Sequence, residues 1–180
     1  EPTIAIEDIY KENTGPPAEW TYSDNTTNLN PASTTNPYAG TYDIEGTTVA
    51  ASNRFTMTVS PTPVFTDYVY LNFKIRSKAS WASGRVFAIQ FFSGATPLGS
   101  AVTFGQGTYG FQSTQTATYQ NISIPLGDFG DITGATAVRF LRNGTGTVGF
   151  YMDNIILLEA RSYYLPGIDN VVGIAPVSVS

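Results

Sequence analysis

The chain has 180 residues, a formal net charge of −5, only nine Lys and Arg, and neither His nor Cys. That inventory excludes Ser–His–Asp and Cys–His catalysis, disulfides and zinc sites built on His or thiolate, and it leaves no basic run on which nucleic acid or an acidic membrane would release counterions. Charged residues make up 13%, about half the usual share, so polarity rests on Thr, Ser, Asn and Gly beside abundant Tyr and Phe, a mix suited to strands and tight turns.

A chain of this length reads as one domain that buries about two-thirds of its unfolded surface. In chain order, weak strands are predicted at residues 3–10, 41–49 and 54–59, with an Asn/Thr-rich surface loop at 21–39. The strongest strand is "YVYLNFKIR" (68–76), where Val69, Leu71, Phe73 and Ile75 alternate with polar neighbours. "RVFAIQFF" (85–92), "TYQNISIPL" (118–126), "AVRFL" (137–141) and "VGFYMDNIILLE" (148–159) follow. Turn clusters such as "NPYAG", "SPTP", "SGATPLG" and "GDFGDITG" separate them. Short strands at this spacing predict an all-β fold, an antiparallel β-sandwich of jelly-roll type. The domain is expected over residues 1–160, with 161–180 as an extended tail or linker and the chain itself a segment of something longer. No apolar run is long enough for a membrane helix.

Two motifs are decoys. "GQGTYG" at 105–110 fits the dinucleotide pattern, but no helix follows to receive a pyrophosphate, so it reads as a hairpin turn. "DFG" at 128–130 lacks every other kinase element and reads as a loop. Without His or Cys, the remaining catalytic chemistry is a carboxylate pair or a Tyr/Arg-based lyase. In "IEDIYKE" Glu7 and Asp8 are adjacent, hence on opposite faces of a strand, and the chain reads as non-catalytic.

Asp153 interrupts the apolar run 148–159. An ionised carboxylate taken out of water costs several kcal/mol unless something receives it. With cations scarce, the receivers are solvent, backbone amides or a bound hard metal.

Five stretches in order, "IEDIYKENTGPPAEW", "YAGTYDIEG", "DYVYLNFKIRS", "YQNISIPLGDFG" and "GFYMDNIILLE", resemble strands of the carbohydrate-binding-module and galactose-binding-like jelly rolls that accompany polysaccharide-degrading enzymes. The resemblance spans about residues 4–159. It implies a structural Ca²⁺ with Asp153 as a ligand, Glu7 or Asp8 opposite, and carbonyl oxygens near Gly40 and Tyr42. Oxygen donors without His suit that ion.

The resemblance also implies a glycan site. Such a site needs an exposed aromatic face for a sugar ring and polar groups that fork onto hydroxyls. Trp81, in the polar stretch "SKASWASG", is the first candidate, followed by Trp20, Tyr22 and Tyr38 around the 21–39 loop. Arg139 and Arg142 are the candidate donors, expected on the strand face opposite Val138 and Phe140.

The tail "GIDNVVGIAPVSVS" resembles a linker of bacteriophage tail fibres. The expected function is a non-catalytic module, extracellular or on a virion surface, that binds a polysaccharide or cell-surface glycan. The alternative is an assembly or receptor-recognition module of a fibre, a homotrimer without its own sugar site. Neither reading involves nucleic acid or membrane insertion.

Overall fold

The computed structural model describes residues 6–10, 16, 18–61 and 65–159. Eleven strands form among them: β1 (Ile6–Tyr10), β2 (Trp20–Asp24), β3 (Leu29–Ser33), β4 (Asp43–Ala50), β5 (Arg54–Val59), β6 (Tyr68–Ser77), β7 (Val86–Ser93), β8 (Thr96–Gly105), β9 (Gln120–Pro125), β10 (Ala137–Asn143) and β11 (Thr147–Glu159). Eight of these fall where alternating hydrophobicity predicted them. The region 21–39 departs from its reading as a loop, because β3 and most of β2 lie within it. Both are five-residue strands that bury few aliphatic side chains, Leu29 being one, and so leave little periodicity to read.

The strands pair antiparallel in two sheets. The five-stranded sheet runs β2-β5-β10-β7-β8, and the six-stranded one runs β3-β4-β11-β6-β9 with β1 also on β11. Their facing sides enclose one core. Phe55 stacks on Phe140 with centroids 4.7 Å apart, and Phe73 meets Phe140 edge-on at 5.7 Å, which ties the two sheets together. Each such fully buried ring contributes about 2–3 kcal/mol of transfer free energy.

"GQGTYG" does not close a hairpin: β8 and β9 lie in different sheets, and the turn belongs to the crossover between them. "DFG" contributes to a short 3-10 turn, Leu126–Phe129. Among the described residues no helix is long and apolar enough to cross a membrane. The tail 161–180 and its fibre-linker resemblance lie outside the described residues.

The thirteen residues of β11 explain the placement of Asp153. On one flank, residues 147–152 pair with β4 and residues 155–158 pair with β1. Asp153 and Asn154 sit at the changeover, an irregularity in the pairing with β6 where Asn154 adopts φ 49°. Asn tolerates that left-handed conformation better than most residues. The ladder therefore has a gap beside Asp153 that something other than a strand must fill.

Candidate functional site

The outward face of the five-stranded sheet carries a polar trough. Strand register sets its rows. Ser23 pairs with Thr56, Thr56 with Arg139, and Arg139 with Gln90, so four outward side chains line up across β2, β5, β10 and β7. At the usual spacing between strands that row spans about 14 Å. On one side lies the row Thr21, Thr58, Ala137 and Phe92, and on the other the row Arg54, Leu141 and Ala88. The trough encloses a cavity of about 290 Å³.

Arg139 is its central donor. The guanidinium carbon lies 3.9 Å from the Phe92 ring centroid, and Nε–H donates to Thr56 Oγ1 at a long 3.4 Å. Stacking and this bond hold the plane, while the terminal nitrogens have no partner among the described residues. Burial and the neighbouring Arg54 both hold its pKa below the usual arginine value. Arg54 itself is exposed on the same wall, its backbone N–H fixed by Asn25 Oδ1 at 2.8 Å. Asp24 is the one carboxylate among the trough's lining residues, and its Oδ1 accepts the Thr26 N–H at 3.1 Å.

The other anticipated ligand residues lie elsewhere. Trp81 is 4% exposed: its ring packs on Phe87, Phe104 and Phe111, its Nε1–H donates to Gly149 O, and its backbone N–H donates to Ser113 Oγ. The polar stretch around it closes one end of the sandwich and needs an apolar plug there. Trp20 is buried as well, its Nε1–H donating to Glu7 Oε1 at 2.8 Å. Tyr22 packs against the core and stacks on Phe55. None of these three rings offers a free face to a sugar.

Arg142 is fully buried and donates to the carbonyls of Val86, Thr145 and Gly146, where it clamps the turn between β10 and β11. It shares the strand parity of Val138 and Phe140, so it faces inward, and only Arg139 faces out. That parity was readable in the sequence. Arg54, Thr56 and Thr58 are among the trough residues that sequence reasoning passed over. Their signal was the alternation in "RFTMTV", whose Phe55, Met57 and Val59 are buried.

Tyr38 is 45% exposed, but over the other sheet. Its ring carries Lys74 Nζ at 4.9 Å and meets Tyr119 edge-on. Its backbone N–H donates to Asp153 Oδ2 at 3.0 Å, while Asp153 Oδ1 accepts the Asn154 N–H at 2.7 Å. The loop 34–42, with Gly40 at φ 74°, fills the gap in the ladder.

Asp153 is therefore received by backbone amides, those of Asn154, Tyr38 and Ala39. Burial still pushes its pKa up to about 6, against the pull of those N–H groups and with a contribution from Asp43. Asp43 is also fully buried, with its pKa raised chiefly by burial, and its Oδ1 has no hydrogen-bond partner. Extending the Met152–Ile44 register by one residue sets Asp43 opposite Asp153.

The first-strand acids do not occupy that place. Glu7 pairs in register with Leu157 and Asp8 with Ile156, beyond the changeover, and Glu7 already accepts from Trp20. Asp43 is thus the acid that faces Asp153. Among the described residues no group of three or more acidic side chains surrounds a common point. A cation here would draw on the two aspartates, and backbone or amide oxygens of the loop would complete its shell. Hard oxygen donors and an orphaned carboxylate oxygen fit Ca²⁺.

No family model matches the chain, and no curated protein matches it. Solved structures do. A family 30 carbohydrate-binding module is similar over 97% of this chain and 93% of its own, at TM-score 0.60 and 16% identity. The family 30 module of a cellulosomal cellulase of Clostridium thermocellum covers 85% and 96%, at TM-score 0.59 and 18% identity. A family 11 module from another cellulosomal cellulase of that organism covers 87% and 96%, at TM-score 0.51 and 14% identity. The fold is shared with these modules.

Proposed function

We propose that the protein is a non-catalytic carbohydrate-binding module, carried by a larger extracellular protein, whose glycan lies across the trough of the five-stranded sheet. The observation that carries this reading is the row Ser23, Thr56, Arg139 and Gln90. It offers hydroxyl, guanidinium and amide groups in line on a rigid sheet, beside a cavity large enough for a sugar unit. The shared fold of the family 30 and family 11 modules supports it.

Retention in affinity gels containing neutral and charged polysaccharides is the test. Thr58 is exposed in the trough, so Thr58→Trp fills it without disturbing the core. Retention of the unmodified protein, abolished by Thr58→Trp, is the expected result. Retention by no polysaccharide, or retention indifferent to Thr58→Trp, would overturn the assignment.

We further propose that Asp43 and Asp153 hold a structural Ca²⁺ beneath the loop 34–42. Bound calcium would neutralise two facing carboxylates. The orphaned Asp43 Oδ1 supports this reading. Chelator is expected to lower the melting temperature of the unmodified protein and leave that of Asp43→Asn unchanged. Identical melting curves with and without chelator would remove the ion.

A further inference from the structure

The trough holds two cations, Arg54 and Arg139, that make no ion pair among the described residues. Arg54 and Arg139 stand on adjacent strands in neighbouring outward rows, and the positive charge of Arg54 adds to burial in disfavouring that of Arg139. Among the described residues neither makes an ion pair, in a protein whose net charge is −5 and which pairs Lys78 with Glu45 on its opposite face. Asp24, the lining carboxylate, accepts the Thr26 N–H through Oδ1 and pairs with neither arginine among the described residues, so it offsets their charge only in part. Two like charges on neighbouring rows of one sheet, without an ion-pair partner among the described residues, are a cost that an anionic group between them would relieve.

The geometry of Arg139 narrows the kind of anion. Its guanidinium is held from below by the Phe92 ring and at Nε by Thr56, which leaves the edge with both terminal nitrogens open. That planar fork matches a carboxylate with two parallel hydrogen bonds, and its orientation is set before the ligand arrives. No aromatic face is free in the trough for stacking, since Phe92 is 7% exposed and covered by Arg139. Affinity there must come from polar and charged contacts.

We infer that the trough selects a carboxylate-bearing saccharide, a uronate unit within a polysaccharide, with Arg139 taking the carboxylate in bidentate fashion and Arg54 supplying the second positive charge. The inference rests on the carbohydrate-binding reading above and adds the ligand's charge to it. Recognition is by one local arginine pair, so it does not require a basic protein.

Titration with polygalacturonate, with the same polymer after its carboxyl groups are reduced to alcohols, with hydroxyethyl cellulose and with dextran sulfate tests it. Polygalacturonate is expected to bind at least ten-fold more tightly than its reduced form. Arg139→Ala should remove at least ten-fold of that affinity, and Arg139→Lys should recover only part, because charge returns without the fork. Arg54→Ala should cost less than Arg139→Ala. Unchanged melting temperatures establish that these partly exposed positions leave the fold intact.

If the reduced polymer or hydroxyethyl cellulose binds as well as polygalacturonate, the anionic inference falls while carbohydrate binding stands. If no saccharide, charged or neutral, is bound, the carbohydrate reading falls with it. Dextran sulfate binding as tightly as polygalacturonate, and indifferent to Arg139→Lys, would replace carboxylate recognition by general polyanion adsorption.

Discussion

On the six-stranded sheet the outward residue Asp153 lies under the loop 34–42, both its oxygens engaged by amide N–H groups, with Asp43 opposite and Tyr119 beside them. On the five-stranded sheet the outward residue Arg139 is only partly buried, and its terminal nitrogens have no partner among the described residues. Both faces carry like charges without a salt-bridge partner among the described residues. The covered charge has been given donors from the backbone, because a buried ion must be satisfied where it stands. The open charge costs far less to leave unpaired in water, and it remains available to a ligand. The contrast separates a face that serves stability from a face that serves recognition.

The largest effect that sharpens this division comes from Trp81, which packs at one end of the core and belongs to neither face. Trp81→Ala should cost about 3–5 kcal/mol of stability, as large-to-small changes at buried aromatics do, measured by denaturant unfolding. The gentler Trp81→Phe should keep glycan retention in affinity gels. Lost retention in a folded Trp81→Phe protein would return a binding role to this end of the sandwich and break the division.

The same residue shows where sequence reading stops. Strand alternation located most of the sheets, because period-two burial is written locally: Leu71, Phe73 and Ile75 are all fully buried. Trp81 sits in a loop between β6 and β7, and its burial depends on Phe104 and Phe111 from the far side of the chain. No local pattern carries that. Arg139 was legible as an outward donor from its parity against Val138 and Phe140, and the same parity places Arg142 inward, which its expected outward position overlooked. The partner of Asp153 was beyond reach for a third reason. Only the switch of β11 from β4 to β1 sets Asp43 rather than Glu7 or Asp8 beside it.

Asp153→Ala is the next test in size. It leaves the amides of Tyr38, Ala39 and Asn154 without their acceptor, and each buried unpaired donor costs about 1–3 kcal/mol. Removal of a buried charge offsets part of that loss, so the net destabilisation should be about 2–3 kcal/mol. A protein stabilised by Asp153→Ala would mean that the carboxylate strains the covered face instead of closing it.

The titration of Asp153 provides a smaller and signed effect. Its pKa is raised from 3.8 to about 6 in the folded protein, chiefly by burial, so folding favours the protonated form. The associated stability is fully present below the unfolded value near 3.8 and is lost as pH rises through about 6. In chelator, the stability of the unmodified protein relative to Asp153→Asn should fall by about 1–2 kcal/mol between pH 4 and 7. A difference that grows with pH would show that the amide donors outweigh burial.

The smallest expected effect probes the division most directly. Tyr70 is 41% exposed, on β6 of the six-stranded sheet, and offers the kind of aromatic face a sugar ring could use. If recognition belongs to the trough, Tyr70→Ala should change glycan affinity by less than two-fold and stability by no more than about 0.5 kcal/mol, as an ordinary surface substitution does. A ten-fold loss of affinity from Tyr70→Ala, with Thr58→Trp harmless, would move the binding surface to the opposite sheet. The arginine pair would then have to be explained without a glycan.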